Sequence, residues 1–465
     1  MSSPPVHTLA LILAAGKGTR MRSAHPKVML DLGGEPMLAH VLAAAGAVVD
    51  SLRVIHGPNM PEVVALAEAA GASLACQATQ LGTGDAVRAA LPLPDGVDRV
   101  LVLSGDVPLL EPAMLERFME AVPGDAVGVM TTTLEAPTGF GRILRDEGGA
   151  LAAIVEEKDA TPAQRALQEI NAGIYVFPAE PLPRWLKAIT ADNAQGEFYL
   201  TDLIAVARAA GVPCVAVPEA DSASLRGANT RAQLAALEAT LQTRRRDQLM
   251  AAGVTLRAPE SVTLRGHVEA GQDCIIDVGC VFEGKVVLGQ NVKVGAHCVI
   301  KDAELQDGVQ VAPLTHIEGA VVGPEAQLGP FARLREGTVL GRGTRIGNFV
   351  ETKKTTLGDY SKANHLAYLG DATLGERVNV GAGTITCNYD GVGKHRTVLG
   401  NDVFVGSNST LVAPLTVGEG AFLGAGSTIT KDVDPETLAV GRGRQRSISG
   451  WQSPKARAQR GQEED

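Results

Sequence analysis

Over the first half of the chain, short apolar runs alternate with alanine-rich segments of helical spacing. Leu9–Ala15, Leu52–His56, Arg99–Ser104, Ala126–Thr132 and Ile174–Phe177 predict strands. Between them Met37–Val49, Pro61–Ala70 and Asp85–Leu91 predict helices. Arg142–Arg145 and Leu151–Val155, joined through Gly148-Gly149, predict an added hairpin. This alternation implies an α/β domain over residues 1–229, with a Rossmann-like mixed sheet covered by helices on both faces. From Thr230 to Ala252, Leu234, Leu237, Leu241 and Leu249 recur at helical spacing, with Thr230 suited to cap the start and Gly253 to end it. Residues 230–252 are expected to be a helical linker arm, on which Arg244-Arg245-Arg246 reads as a solvated face.

Beyond Gly253 the period changes. An aliphatic residue followed by glycine recurs at steps of six or twelve within four blocks: Leu288-Gly289 and Val294-Gly295; Val322-Gly323 to Ile346-Gly347; Leu374-Gly375 and Val380-Gly381; Leu399-Gly400 to Leu423-Gly424. A helix cannot hold that period on one face, and an ordinary strand alternates by two. Six fits a solenoid whose short strands each end at a turn. Residues 253–465 therefore predict a left-handed parallel β-helix of hexapeptide repeats followed by a tail. The phase slips by one residue at Leu357-Gly358 and Leu374-Gly375, and a loop from Cys387 to His395 is inserted. Local rules tend to fail where function sits, so these breaks direct attention to the residues they bracket.

Composition narrows the classes. With 45% hydrophobic and 20% charged residues the chain has ample core material, and no apolar run is long enough for a membrane span. Only 3% of residues are aromatic while 53 are glycine, the profile of a turn-rich repeat. The six cysteines form no C-x-x-C pair and read as buried reduced thiols of a cytoplasmic protein. A net charge of −10 argues against a nonspecific nucleic-acid binder, so any site for an anionic substrate must be locally basic.

Two places carry candidate chemistry. The segment Leu13-Ala14-Ala15-Gly16-Lys17-Gly18-Thr19-Arg20-Met21 follows a strand directly; its glycines let backbone N–H groups approach phosphate, with Lys17, Arg20 and Lys27 as countercharge. It is neither a dinucleotide fingerprint nor a Walker A loop. Its partner is Leu103-Ser104-Gly105-Asp106, a carboxylate at the end of a buried strand, where α/β sheets open their ligand crevice. Together they favour metal-assisted chemistry on a nucleotide. The second place is the β-helix around the phase breaks, with Lys353, Lys354, His365, Tyr368, Asn388 and Tyr389.

Residues 9–21, Gln80–Gly84, Ser104–Asp106 and Thr138-Gly139-Phe140-Gly141-Arg142 resemble sugar-nucleotide pyrophosphorylases. Asn348–Lys354, Lys362–Gly370 and Gly381–Gly391 (GAGTITCNYDG) extend the resemblance to the bifunctional N-acetylglucosamine-1-phosphate uridyltransferase/glucosamine-1-phosphate acetyltransferases of bacterial cell-envelope synthesis. The similarity spans nearly the whole chain. It implies that Leu13, Ala14, Ala15, Gly16, Gln77, Gly82, Thr83, Ser104 and Gly105 hold the uridine nucleotide and that Lys27 meets its phosphates. By the same resemblance Asp106 and Asn229 ligate Mg2+, and Gly141, Glu156 and Asn171 contact the sugar. Arg20 either neutralises phosphate or anchors the loop. Ala172 departs from the family, which more often has threonine there. In the β-helix the resemblance implies His365 as the base that deprotonates the amine, a role that a free pKa near 6.5 suits. Arg335, Lys353, Tyr368 and Asn379 would bind glucosamine 1-phosphate. Ala382, Asn388, Tyr389, Ser407, Ala425 and Arg442 would bind acetyl-CoA.

The implied reactions consume glucosamine 1-phosphate and acetyl-CoA, then N-acetylglucosamine 1-phosphate and UTP, in a homotrimer assembled through the β-helix. A second reading keeps nucleotidyl transfer alone, with the β-helix as a regulatory or structural module; Lys353, His365 and the GAGTITCNYDG segment speak against it. A third is a histidine-metal hydratase, for which His297, His316 and His365 would have to converge. The tail beyond Arg442, ending in Glu463-Glu464-Asp465, reads as a disordered solubilising segment.

Overall fold

In the computed structural model, which describes residues 6–461, the apolar runs of the first half pair into one mixed sheet. Its order is Cys214–Pro218, Val127–Thr133, Glu169–Pro178, Arg99–Ser104, Thr8–Leu13, Ser51–His56, Ser73–Cys76. Glu169–Pro178 runs antiparallel to both neighbours; the other pairs along this path are parallel. The expected hairpin, Arg142–Arg145 with Leu151–Val155, hangs on that antiparallel strand through the pair Ile170 and Arg142. Along Thr8–Leu13, Ala10 and Ile12 enter one core with the helices Met37–Gly46 and Pro112–Ala121, while Leu9 and Leu11 enter the other with Leu182–Ala188 and Leu203–Ala209. A strand buried on both faces must be apolar throughout, which is why this segment shows no alternation.

The chain divides into two compact units, Met1–Gln248 with Leu264–Gly266, and Leu249–Thr263 with His267–Asp465. The long helix covers Arg231–Ala251. Thr230 and Gln233 form its capping box: Thr230 Oγ1 accepts from Gln233 N at 3.2 Å, and Gln233 Oε1 accepts from Thr230 N at 3.1 Å. Leu234 and Leu237 pack with Met21, Leu30, Leu32, Met37 and Leu109 in a third cluster of the first unit. The arginine triplet is not a solvated face. Arg244 donates to Leu109 O at 3.0 Å and Asp221 at 2.7 Å, Arg245 to Gly33 O at 2.6 Å and Leu264 O at 2.8 Å, and Arg246 to Thr243 Oγ1 at 3.2 Å. Burial lowers the pKa of Arg245. Consecutive helical residues point roughly 100° apart, so three in a row meet different surroundings.

In the second unit the aliphatic residues of the six-residue aliphatic–glycine repeat, from Leu288 to Leu423, are buried, whereas Val392, before Gly393 on the inserted loop, is exposed. The short strands stack into an 11-stranded parallel sheet and a 16-stranded sheet whose main path is parallel, the latter forming two faces joined where Val299–Leu305 rounds a corner. This is the left-handed β-helix. The glycine is needed because coils touch at that point: a Cβ on Gly358 would lie 2.6 Å from the carbonyl carbon of Gly375. Successive coils are normally 17 or 18 residues apart, as for Asn348 and His365 (17), but the insertion widens the step to 25 at Glu376 and Asn401.

Two further expectations change. Cys274, Cys280 and Cys298 line the buried interior, but Cys214 and Cys387 are half-buried and Cys76, at a strand end, is exposed. In the tail, Pro454–Gly461 forms a short helix. Glu463-Glu464-Asp465 lies outside the described residues. No helix among the described residues is long and apolar enough to cross a membrane.

Candidate active sites

Thr8–Leu13 and Arg99–Ser104 lie parallel with Leu13 opposite Ser104, and the chain leaves them toward opposite ends of the sheet. That divergence opens a crevice at their carboxyl ends. Gly105 N donates to Leu13 O at 2.9 Å, which sets Asp106 beside the glycine loop. Gly18 turns the loop with φ +59°, and a Cβ there would lie 2.6 Å from Lys27 Cβ. Lys27 Nζ reaches Asp106 Oδ2 at 2.5 Å and Asn229 Oδ1 at 3.0 Å. Two oxygens from separate segments thus point at one cation. An ammonium held there marks a place whose hard oxygen donors suit a divalent ion. Arg20 and Lys17 are exposed.

One wall of the crevice holds the residues expected to take the nucleotide. Gln77 is buried, its Nε2 donating to Gly82 O at 3.1 Å and to Asp85 Oδ2 at 2.8 Å. Gln80 Nε2 donates to Ala15 O and ties this loop to Leu13–Gly16, while Thr83 Oγ1 accepts from Leu200 N at 3.1 Å. The residues expected on the sugar side form a second group. Asn171 N donates to Gly141 O at 3.0 Å, Asn171 Nδ2 to Tyr175 Oη at 2.6 Å, and Thr201 Oγ1 to Glu156 Oε1 at 3.3 Å. Burial raises the Glu156 carboxyl above its ordinary pKa, and burial holds the Tyr175 phenol up as well.

In the second unit His365 is exposed, the last residue of the strand Lys362–His365, and Asn348 is its register partner one coil below. His365 Nδ1 lies 3.0 Å from Asn348 Oδ1. An amide oxygen accepts only, so Nδ1 carries a proton, and in the neutral ring Nε2 is the nitrogen that presents a lone pair. Two residues beyond the registered pairs Ala363–Val380, Val380–Val405 and Val405–Leu423 lie His365, Ala382, Ser407 and Ala425, one above another on a single corner. Arg442 Nη1 donates to Ala425 O at 2.5 Å, which sets its side chain beside the end of the row.

A basic cluster is built from the other faces. The Lys394 ammonium, and after it the Arg335 guanidinium, hold Lys353 below the usual lysine pKa, with Asp371 pulling the other way. Arg335 Nη1 pairs with Glu351 Oε1 at 2.9 Å, and Tyr368 is the register partner of Glu351. Asn388 is buried and donates to Asp371, which sets it with this cluster and not on the Ala382–Arg442 corner; Tyr389 Oη donates to Gly391 O within its own loop. Asn379 pairs with Lys362 and Phe404 on the sheet that carries His365. His316 belongs to the other sheet, and no group of three His, Cys, Asp or Glu suited to a metal occurs among the described residues.

Sequence reasoning gave no role to Asn348, Lys394 or Glu351. A signal existed for each: Asn348 and Glu351 lie in the segment Asn348–Lys354 that carries the resemblance, and Lys394 lies on the inserted loop.

Residues 10–170 match the MobA-like NTP transferase domain, residues 264–350 the GMPPB C-terminal domain, and residues 396–431 the bacterial transferase hexapeptide (six repeats). The chain is 52% identical over 445 residues to the Bifunctional protein GlmU of Stutzerimonas stutzeri, covering 96% of this chain and 98% of that one. It is 50% identical over 456 residues to that of Alkalilimnicola ehrlichii, covering 98% of each. It is 51% identical over 447 residues to that of an Azoarcus species, covering 96% and 98%.

Proposed function

The chain belongs to the family of bifunctional GlmU proteins, and on that footing we propose how its two activities divide between the units. It acetylates glucosamine 1-phosphate from acetyl-CoA and then transfers UMP from UTP to the product, giving UDP-N-acetylglucosamine and pyrophosphate. A reading with nucleotidyl transfer alone does not fit relatives matched along their full length.

Uridyl transfer belongs to the crevice of the first unit. The attacking oxygen is that of a sugar 1-phosphate, already ionised, so the site needs positioning and charge neutralisation and no protein base. Mg2+ held by Asp106 Oδ2 and Asn229 Oδ1 would supply that neutralisation when bound. Lys27, once those oxygens are otherwise engaged, turns its ammonium to the phosphates. Leu13–Gly16, Gln77, Gly82, Thr83, Ser104 and Gly105 seat the nucleotide; Gly141, Glu156 and Asn171 seat the sugar. Arg20, exposed on its turn, serves as a mobile countercharge for the leaving pyrophosphate.

Acetyl transfer belongs to the corner of the second unit. Arg335, Lys353 and Lys394 form a site for the sugar phosphate, with Tyr368 and Asn379 along the sugar. Acetyl-CoA lies along Ala382, Ser407, Ala425 and Arg442. His365 Nε2 takes a proton from the 2-amino group as its nitrogen attacks the thioester carbonyl, and returns it to the departing coenzyme A thiolate. The single observation that carries this division is the meeting of Lys27, Asp106 and Asn229 at a strand-end crevice in one unit, with His365 and its orienting Asn348 in the other.

The protein is further proposed to be a cytoplasmic homotrimer. In support, Leu314, Phe331, Phe349 and Leu366 form an exposed apolar row along one corner, with Phe331 and Phe349 stacked at 5.4 Å. The test is substrate omission with the purified chain. Pyrophosphate should appear only with UTP, N-acetylglucosamine 1-phosphate and Mg2+ together, and coenzyme A thiol only with acetyl-CoA and glucosamine 1-phosphate. Release of either product without its acceptor sugar would overturn the proposal.

A further inference from the structure

Arg142 closes the Thr138–Arg142 motif, yet neither reaction as described uses it. Its side chain is only 2% exposed, an arginine sunk within the first unit. Nη1 donates to Phe140 O, and Nη2 donates to Arg165 O at 3.3 Å. Nη2 also stands 2.7 Å from Glu157 Oε2, an ion pair not aligned as a hydrogen bond, and Nε is without a partner. The Arg142 main chain pairs with Val155 in the hairpin and with Ile170 in the sheet.

Every one of these partners but Arg165 is a chain neighbour of a sugar-side residue. Phe140 precedes Gly141. Val155 precedes Glu156 and Glu157 follows it. Ile170 precedes Asn171. The three are also joined to each other, through the bond from Asn171 N to Gly141 O at 3.0 Å and through Glu156 Oε1, which lies 3.5 Å from where a Cβ on Gly141 would stand. A desolvated guanidinium tolerates little displacement, because a donor moved off its acceptor leaves charge buried and unpaired. Its fork therefore fixes the distances between the segments carrying Gly141 and Glu156, while its backbone fixes the strand carrying Asn171.

We propose that Arg142 is the positioning residue of the acceptor-sugar site, holding Gly141, Glu156 and Asn171 at the spacing that N-acetylglucosamine 1-phosphate requires. This rests on the reading that those three residues seat the sugar. Lysine in place of Arg142 keeps the charge but loses the fork, so it cannot serve Phe140 O, Arg165 O and Glu157 together. A merely structural arginine would, when replaced, lower stability and affect both substrates alike.

The test is steady-state uridyl transfer by the full chain carrying Arg142→Lys, Glu157→Gln or, as the reference, Glu156→Gln. Arg142→Lys is expected to raise KM for N-acetylglucosamine 1-phosphate roughly tenfold, the loss of one charge-assisted hydrogen bond, with a smaller fall in kcat. KM for UTP should stay within about twofold and acetyl transfer should be unchanged, since neither depends on this hairpin. Glu157→Gln, which keeps an acceptor but removes the charge, should move the same constant less, and it carries the test if Arg142→Lys fails to fold. Equal rises in both KM values, or no rise in the sugar-phosphate KM in either variant, would overturn the proposal. Glu156→Gln separates the two levels: if it leaves the sugar-phosphate KM alone, the sugar-site reading falls. If it raises that KM while the other two variants do not, only the role of Arg142 falls.

Discussion

Replacing Lys27 by methionine tests whether the point between Asp106 and Asn229 is a cation site. The side chains of Lys27 and Asp106 are only 16% and 15% exposed, with Nζ 2.5 Å from Oδ2. Removing one partner of a fully buried pair costs about 3–5 kcal/mol; discounting for the residual exposure leaves about 2 kcal/mol. For a unit of this size that lowers the melting temperature of the first unit by about 4–8 °C in chelator. A divalent ion then restores what was lost, because it meets Asp106 and Asn229 without displacing an ammonium. Mg2+ alone should therefore bind Lys27→Met up to about 30-fold more tightly than the parent chain, the same 2 kcal/mol read as affinity. Calorimetry with and without Mg2+ reads both effects. Acetyl transfer, proposed for the other unit, should be unchanged, whereas uridyl transfer should be largely lost. Equal Mg2+-induced shifts in parent and variant would show that Lys27 and the metal do not share these oxygens, and the reasoning would fail.

The remaining predictions concern separate residues. Asp106→Asn should remove at least roughly 100-fold of uridyl transfer and spare acetylation, and His365→Ala should do the opposite; loss of both activities from one folded variant would refute two independent sites. Asn348→Ala frees the His365 tautomer, so kcat for acetyl transfer should drop roughly tenfold with little change in KM, a split that steady-state kinetics resolves. Lys394, then Arg335, depress the pKa of Lys353, so sugar-phosphate binding should weaken as pH rises through a value below that of free lysine. Lys394→Met should raise KM for glucosamine 1-phosphate and move that alkaline limb upward; an unmoved limb in a KM profile from about pH 7.5 to 10.5 would contradict the cluster. Burial pushes the Cys214 and Cys298 thiols up to about 11 while Cys76 is exposed, so alkylation near pH 8, followed by peptide mass spectrometry, should mark Cys76 first.

Much of both architectures is written in local period. Thr8–Leu13 and Arg99–Ser104 were readable because strands buried on both faces are apolar without interruption. The β-helix was readable because each aliphatic–glycine step marks one corner of a coil. In such a solenoid even some site geometry is nearly local: Asn348 touches His365 because they are one coil, 17 residues, apart. The slips of phase and the insertion likewise pointed to the neighbourhood of Lys353 and Lys394. The arginine triplet misled because three basic residues look alike in a string but project in three directions from a helix.

What the string of residues determines by itself, then, is the kind of each unit, since periods of two, near four and six are properties of neighbours along the chain. What only the folded chain decides is which side chains meet. Lys27 finds Asp106 79 residues away and Asn229 202 residues away because the strand order diverges at Thr8–Leu13 and because Leu234 and Leu237 pack the long helix against the first unit. The burial of Arg142 and the exposure of Cys76 follow in the same way from what surrounds them. Contacts of that range depend on how surfaces close on each other in three dimensions, and no local pattern encodes that closure.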